Sequence, residues 1–99
     1  MLKLYTLVRQ DLKQHGVRAV QAAHSVAEYL LQNPDTDWDN GTMVLLKVED
    51  EDHLKEYFEH LERRNIKYTA FQEPDLDNQY TALTAEHDNR IPFCGLRLL

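Results

Sequence analysis

Arg9-Gln-Asp-Leu-Lys-Gln-His-Gly16 and the run behind it, Val17-Arg-Ala-Val-Gln-Ala-Ala-His24, hold a strand end, a turn and the opening of a helix. Upstream, Leu2-Lys-Leu-Tyr-Thr-Leu-Val8 alternates loosely and is rich in strand-forming residues, which predicts a strand over 2–9. Downstream, Val20, Ala23, Val26, Ala27, Leu30 and Leu31 recur at helical spacing and predict a helix over 17–33. Asn33-Pro34 ends it, because a residue before proline is pushed out of the helical region. Arg18, Gln21 and His24 stand three apart, so Gln21 neighbours both of the others on one side of the helix. Ala19, Ala22, Ala23 and Ala27 around them let a sheet approach closely.

The rest of the chain continues the alternation of strands and helices. Asp35-Thr-Asp-Trp-Asp-Asn-Gly41 reads as a polar loop whose Trp38 packs over the core edge. Thr42-Met-Val-Leu-Leu-Lys-Val48 is the most apolar run and predicts a central strand buried on both faces. Asp50 suits a helix N-cap, and Glu51 and Asp52 suit the positive end of the helix dipole. Leu54, Tyr57, Phe58 and Leu61 form the apolar stripe of that second helix, and Asn65 suits a left-handed exit. A third strand is expected over Ile66–Phe71, a loop over Gln72–Asn78 and a fourth strand over Gln79–Ala85. The short connection between the last two permits an antiparallel pair, whereas strand-helix-strand units favour parallel neighbours. The expected architecture is therefore a compact α/β three-layer sandwich, with a mixed four-stranded sheet and helices on its faces. The apolar tail, with Ile91, Phe93, Leu96 and Leu98, is expected to dock on the body or on a second subunit, and a homodimer is expected.

Ninety-nine residues make one domain, 1–99, with a modest core. No run approaches the ~20 apolar residues that span a bilayer, and the first residues lack the pattern of a signal peptide, so a cytoplasmic protein without membrane contact is expected. Cys94 stands alone, which excludes an internal disulfide and a cysteine-based zinc site. His53, Glu56 and His60 share a helix but lack a further ligand, so they read as a solvated face and no metal is expected. The formal charge of −6 disfavours polyanions on average, yet residues 1–24 carry Lys3, Arg9, Lys13 and Arg18 against Asp11 alone. That asymmetry allows a basic rim on an acidic body.

In order and spacing, Arg9-x-Asp11-Leu12, Gly16 and Ala19-x-Gln21-Ala-Ala-His24 resemble the type II peptidyl-tRNA hydrolases. In that family an R-x-D-L loop leads into a helix beginning G-K-x-A-A-Q-x-x-H, and a later Asp-Ala-Gly loop precedes a strand that starts with threonine. Phe71-Gln-Glu-Pro-Asp75 followed by Tyr80-Thr-Ala-Leu-Thr84 matches the later part, so the resemblance spans roughly residues 2–85. Val17 stands where the family has lysine, Glu73 where it has aspartate, and Pro74 and Asp75 where it has alanine and glycine; Thr81 matches.

The resemblance implies hydrolysis of the ester between a peptide and the terminal ribose of tRNA, with no cofactor. The alternative is a non-catalytic binding or regulatory protein that kept the fold without the lysine. Ester hydrolysis needs an oriented water, stabilisation of the oxyanion and protonation of the ribose oxygen. The catalytic candidates are Gln21, His24, Glu73 and Thr81. Arg9, Lys13, Arg18 and Asp75 are the substrate-binding candidates, and the helix start around Gly16 is a candidate phosphate site. On residue type alone, His24 on its alanine-rich helix is more often a packed histidine bonded to a backbone carbonyl than a catalyst. Arg9 and Asp11 read as a simple pair, and Glu73-Pro74-Asp75 as a simple turn.

Overall fold

A computed structural model describes all 99 residues. The elements are β1 (Lys3–Arg9), α1 (His15–Gln32), β2 (Thr42–Val48), α2 (Glu51–Arg63), β3 (Tyr68–Glu73), β4 (Gln79–His87) and β5 (Arg97–Leu98). One mixed five-stranded sheet runs in the order β3-β4-β1-β2-β5, with β1 and β2 parallel and the other pairs antiparallel. The expectation of four strands falls one short. β5 is only two residues long and pairs Leu98 with Leu46 and Arg97 with Lys47, too short to show any alternation in the sequence.

Side chains alternate across the sheet and define two different layers. On the α2 side, Tyr5, Leu7, Leu46, Val48, Leu83 and Ala85 meet Leu54 and Leu61 of the helix in an apolar core of eleven buried residues. Phe93 and Leu96 from the tail belong to that core, and the Phe93 ring stacks on Tyr5 at 4.6 Å. Two of the four tail residues behind the homodimer expectation are therefore internal to one chain, while Ile91 and Leu98 stay exposed. α2 begins where its cap predicts: the Asp50 carboxylate accepts from the His53 N–H at 2.9 Å, and Nδ1 of His53 accepts from the Glu49 N–H at 2.9 Å. Asn65 takes the left-handed exit, with φ 56. His60 shares a hydrogen bond with the Pro92 carbonyl at 2.9 Å, so this histidine ties the tail to α2.

The α1 side is built differently. The sequence stripe of Val20, Ala23, Val26, Ala27, Leu30 and Leu31 is not the buried one; Gln21, Ala22, Ser25 and Tyr29 are. Val20 is left 51% exposed and Leu31 77%. The helix is turned this way because the strands beneath present hydroxyls: Thr84 Oγ1 lies 2.9 Å from Thr6 Oγ1 and 2.8 Å from Ser25 Oγ. Tyr29 closes the row by donating its hydroxyl hydrogen to Glu86, which also accepts from Thr36. Burial and that carboxylate hold the Tyr29 phenol far above its usual range. No buried polar side-chain atom lacks a partner, the condition on which such an interior is stable.

β1, not β2, is the central strand, with Leu4 to Arg9 buried without a break. The apolar run of β2 predicts cover on both faces, which the structure does not give it. α1 packs over β1, β3 and β4, so Met43 of β2 is left 46% exposed on that side. Trp38 lies at the sheet margin and donates its indole N–H to the Thr42 carbonyl at 2.9 Å.

Candidate active site

The two candidate segments meet at the edge of the sheet where β1 ends and β4 begins. Regular alternation along β4 would turn Thr81 toward α2, with Leu83 and Ala85. The ladder slips at this point: Phe71 pairs with Ala82 but Gln72 pairs with Tyr80, so Thr81 is an extra residue in a β-bulge. A bulge bends its strand and re-aims a side chain. Thr81 turns to the α1 side, where its hydroxyl donates to Gln21 Oε1 at 2.5 Å. Tyr80, displaced in the opposite sense, packs edge-on against Phe58 of α2 at 5.0 Å.

The bulge is held in place from below. Arg9 donates to both oxygens of Asp11, at 3.0 and 2.8 Å, and through Nη1 to Gln79 Oε1 at 2.9 Å and the Tyr80 carbonyl at 3.1 Å. Glu51 of α2 accepts from the Tyr80 N–H at 2.8 Å. Both backbone polar groups of Tyr80 thus have a side-chain partner. Arg9 is buried and its guanidinium is occupied, so it braces the site from within the fold.

From Thr81 a hydrogen-bonded row leads outward. Gln21 accepts from Thr81 and donates Nε2–H to Glu73 Oε1 at 2.8 Å. The other Glu73 oxygen accepts from the Asp75 N–H at 3.3 Å, within the single turn of 3-10 helix that joins β3 to β4. Pro74 opens that turn and Asp77 closes it in the left-handed conformation. The hydrogen bond from Gln21, then that from the Asp75 backbone, holds the Glu73 carboxyl below the usual range, so it stands as a carboxylate. His24, three residues beyond Gln21 on α1, lays its ring flat on Phe71, with centroids 4.9 Å apart and planes 1° apart. The ring is near enough to Glu73 to act on its carboxyl electrostatically, in the same lowering direction and less than the two hydrogen bonds. In the sequence Phe71 ends the expected third strand and opens the stretch that matches the family, with no role of its own; its aromatic type two positions before Glu73 is the one signal of this platform.

An open cleft of about 530 Å³ lies in front of the row. Gln14, Gly16, Val17 and Val20 form its α1 wall, Gln21 its floor, and Glu73, Asp75 and Leu76 the facing wall. The α1 end of the cleft differs from the start of α2: Gln14 makes no side-chain cap and the first turn carries no acidic residue. Its first N–H groups are therefore uncovered by side chains at the positive end of the helix dipole.

Of the sequence candidates, the structure brings Gln21, His24, Glu73, Asp75 and Thr81 together. Arg18 turns back over the β1–α1 loop, donating to the Leu12 carbonyl at 2.6 Å and meeting His15 Nδ1 at 2.5 Å. It is absent from the cleft lining. Lys13 is exposed on that same loop and makes no ion pair. The side chains form no cluster of three or more metal-ligating groups, and no helix is long and apolar enough to cross a membrane.

Sheet order, helices on opposite faces, and a carboxylate-amide-hydroxyl row at a bulged strand start define a small α/β domain with an open cleft at one edge of its sheet. Residues 2–86 match the family described as peptidyl-tRNA hydrolase PTH2, and the chain belongs to that family. Among solved structures it resembles a protein of unknown function from Agrobacterium tumefaciens strain C58, with a TM-score of 0.72 and 13% identity. That likeness covers 99% of this chain and 97% of the other, and it is a likeness of fold. No curated protein matches the chain significantly.

Proposed function

We propose that this chain hydrolyses the ester linking a peptide to the terminal ribose of tRNA, with Glu73 as the general base. The observation that carries the reading is the Thr81–Gln21–Glu73 row, which ends in an ionised carboxylate on the wall of the cleft. Glu73 accepts a proton from a water molecule as its oxygen adds to the ester carbonyl. When the carbon–oxygen bond to the ribose breaks, that proton passes to the departing ribose oxygen, with His24 beside the carboxylate to carry it. Thr81 is fully buried and its hydrogen is given to Gln21, so it positions the amide rather than touching substrate. Gln21 keeps one N–H beyond the bond to Glu73, which suits the developing oxyanion.

Substrate binding follows from charge. Lys13 and Arg18 edge the loop before α1, and the uncapped α1 start offers backbone N–H groups to a phosphate of the acceptor end. Affinity for tRNA should accordingly fall as salt rises. The decisive measurement is release of peptide from peptidyl-tRNA by the wild type, Glu73→Gln and His24→Ala. A loss of about 10²–10⁴-fold in kcat is expected for Glu73→Gln, with the fold intact because the side chain lies at the surface. A Glu73→Gln protein as active as the wild type would remove the base from the mechanism. Binding of tRNA without turnover by the wild type would make the chain a binding protein on this fold.

A further inference from the structure

Val17, Val20 and Leu76 have no part in the chemistry above, yet they form the apolar lip of the same cleft. Val17 lies one turn before Gln21 on α1, on the same side of the helix, and Val20 stands three residues after Val17 and lines the same cleft as both. Leu76 faces them from the turn that carries Glu73 and Asp75. Val20 is 51% exposed although the sheet lies one helical face away. The helix is rotated so that Gln21 and Ser25 are buried instead, which leaves these valines at the mouth of the site. The charged groups lining the cleft, Glu73 and Asp75, are both acidic.

We infer that this lip is a side-chain subsite: it receives the apolar side chain of the amino acid whose carbonyl is esterified to the ribose. The inference rests on the hydrolase reading for the placement of that carbonyl beside Glu73. A cleft of about 530 Å³ has room for one amino-acid side chain together with the sugar. Burying an aliphatic side chain against Val17, Val20 and Leu76 is favourable, whereas an acidic one would meet the two carboxylates. The site therefore selects leucyl over glycyl, and glycyl over aspartyl, at the residue next to the ribose.

Binding is measured by calorimetry with N-acetyl-aminoacyl adenosines in which an amide replaces the ester, so that no turnover intervenes. The leucyl analogue should bind about tenfold more tightly than the glycyl one, the scale of discrimination by an apolar pocket. Val20→Ser and Leu76→Ser, two separate changes outside the buried core, should each bring that ratio toward one. Equal affinities in the wild type, no detectable binding of any analogue, or a ratio unchanged in both variants would overturn the inference. Selective binding without hydrolysis of the corresponding esters would leave the subsite standing and remove the hydrolase reading. Hydrolysis with no side-chain preference in binding would do the reverse.

Discussion

The two faces of the sheet are stabilised by different chemistry, and the candidate site lies on only one of them. Under α2, eleven buried residues form a continuous apolar core. Under α1, the buried apolar residues are Leu4 and the small cluster of Val8, Ala22 and Ala82, and the interior is otherwise a row of hydroxyls, an amide and a phenol. Apolar packing is non-directional, so it holds α2 against the sheet without fixing any polar atom. Hydrogen bonds are directional, and a buried row of them sets the orientation of each member. The bulge at Thr81 is where β4 changes allegiance, delivering one hydroxyl from the apolar side to the polar one. The α2 layer can thus supply stability while the α1 layer supplies geometry.

The sharpest way to break this comparison is on the apolar face. Leu54 is fully buried, and Leu54→Ala should destabilise the protein by about 2–5 kcal/mol, through lost burial and the cavity left behind. Urea denaturation measures it. A loss below about 1 kcal/mol would mean that the α2 layer does not carry the stability assigned to it.

On the polar face the expected cost is smaller and depends on what is left behind. Thr84 is the centre of the hydroxyl row, so Thr84→Val strands the Thr6 and Ser25 hydroxyls and should cost about 1–3 kcal/mol. Replacing all three, Thr6→Val, Ser25→Ala and Thr84→Val, should recover most of that loss, because no buried hydroxyl then lacks a partner. A single variant as stable as the wild type, or a triple variant worse than the single, would show that the row is not a coupled unit.

The same contrast explains what could be read from the sequence. α2 was legible from its cap to its exit, because a lone apolar stripe and an Asp50 cap are local signals that the apolar face obeys. α1 was found, but its rotation was not. Its most apolar stripe, with Val20 and Leu31, faces outward while Gln21 and Ser25 face in, and hydropathy is blind to a polar interior that satisfies itself. Gln21, His24, Glu73, Asp75 and Thr81 were picked out through resemblance and do converge, yet the bulge that aims Thr81 has no glycine to announce it. From the sequence, Arg9 reads as part of a binding rim. Its burial depends on Gln79 and Tyr80, partners some seventy residues away that no local pattern reveals.

A finer probe tests whether the polar layer governs the site it supports. Gln21→Met keeps the side-chain volume but removes the hydrogen bond that does most to hold the Glu73 carboxyl low. The Glu73 pKa should rise toward the ordinary carboxylate range. The acid limb of the pH–rate profile should move to higher pH with it, since the base must be ionised to act. Thr81→Val should shift it in the same direction by less, acting only through the orientation of the amide. Carbon-detected NMR titration of Glu73 reports this separately from turnover, and a Glu73 titration identical to the wild type would sever the row from the base.

The smallest effect belongs to the latch that joins the two layers. Arg9 holds the Asp11 carboxyl below its usual range, first through their hydrogen bonds. A folded-state pKa depressed in this way contributes stability above the unfolded value, about 3.9, and loses it as pH falls through the folded one. Asp11→Asn removes that contribution, so the variant should be less stable than the wild type at neutral pH by under about 1 kcal/mol, because Asp11 is partly exposed. The difference should shrink as pH falls from the unfolded value through the folded one, below which the wild-type carboxyl is also neutral. Arg9 keeps its bonds to Gln79 and Tyr80 in the variant, so the bulge should persist and the Glu73 titration should stay where it was. A variant whose Glu73 pKa moved with the loss of Asp11 would show that the ion pair, and not the two bonds to β4, sets the position of Thr81.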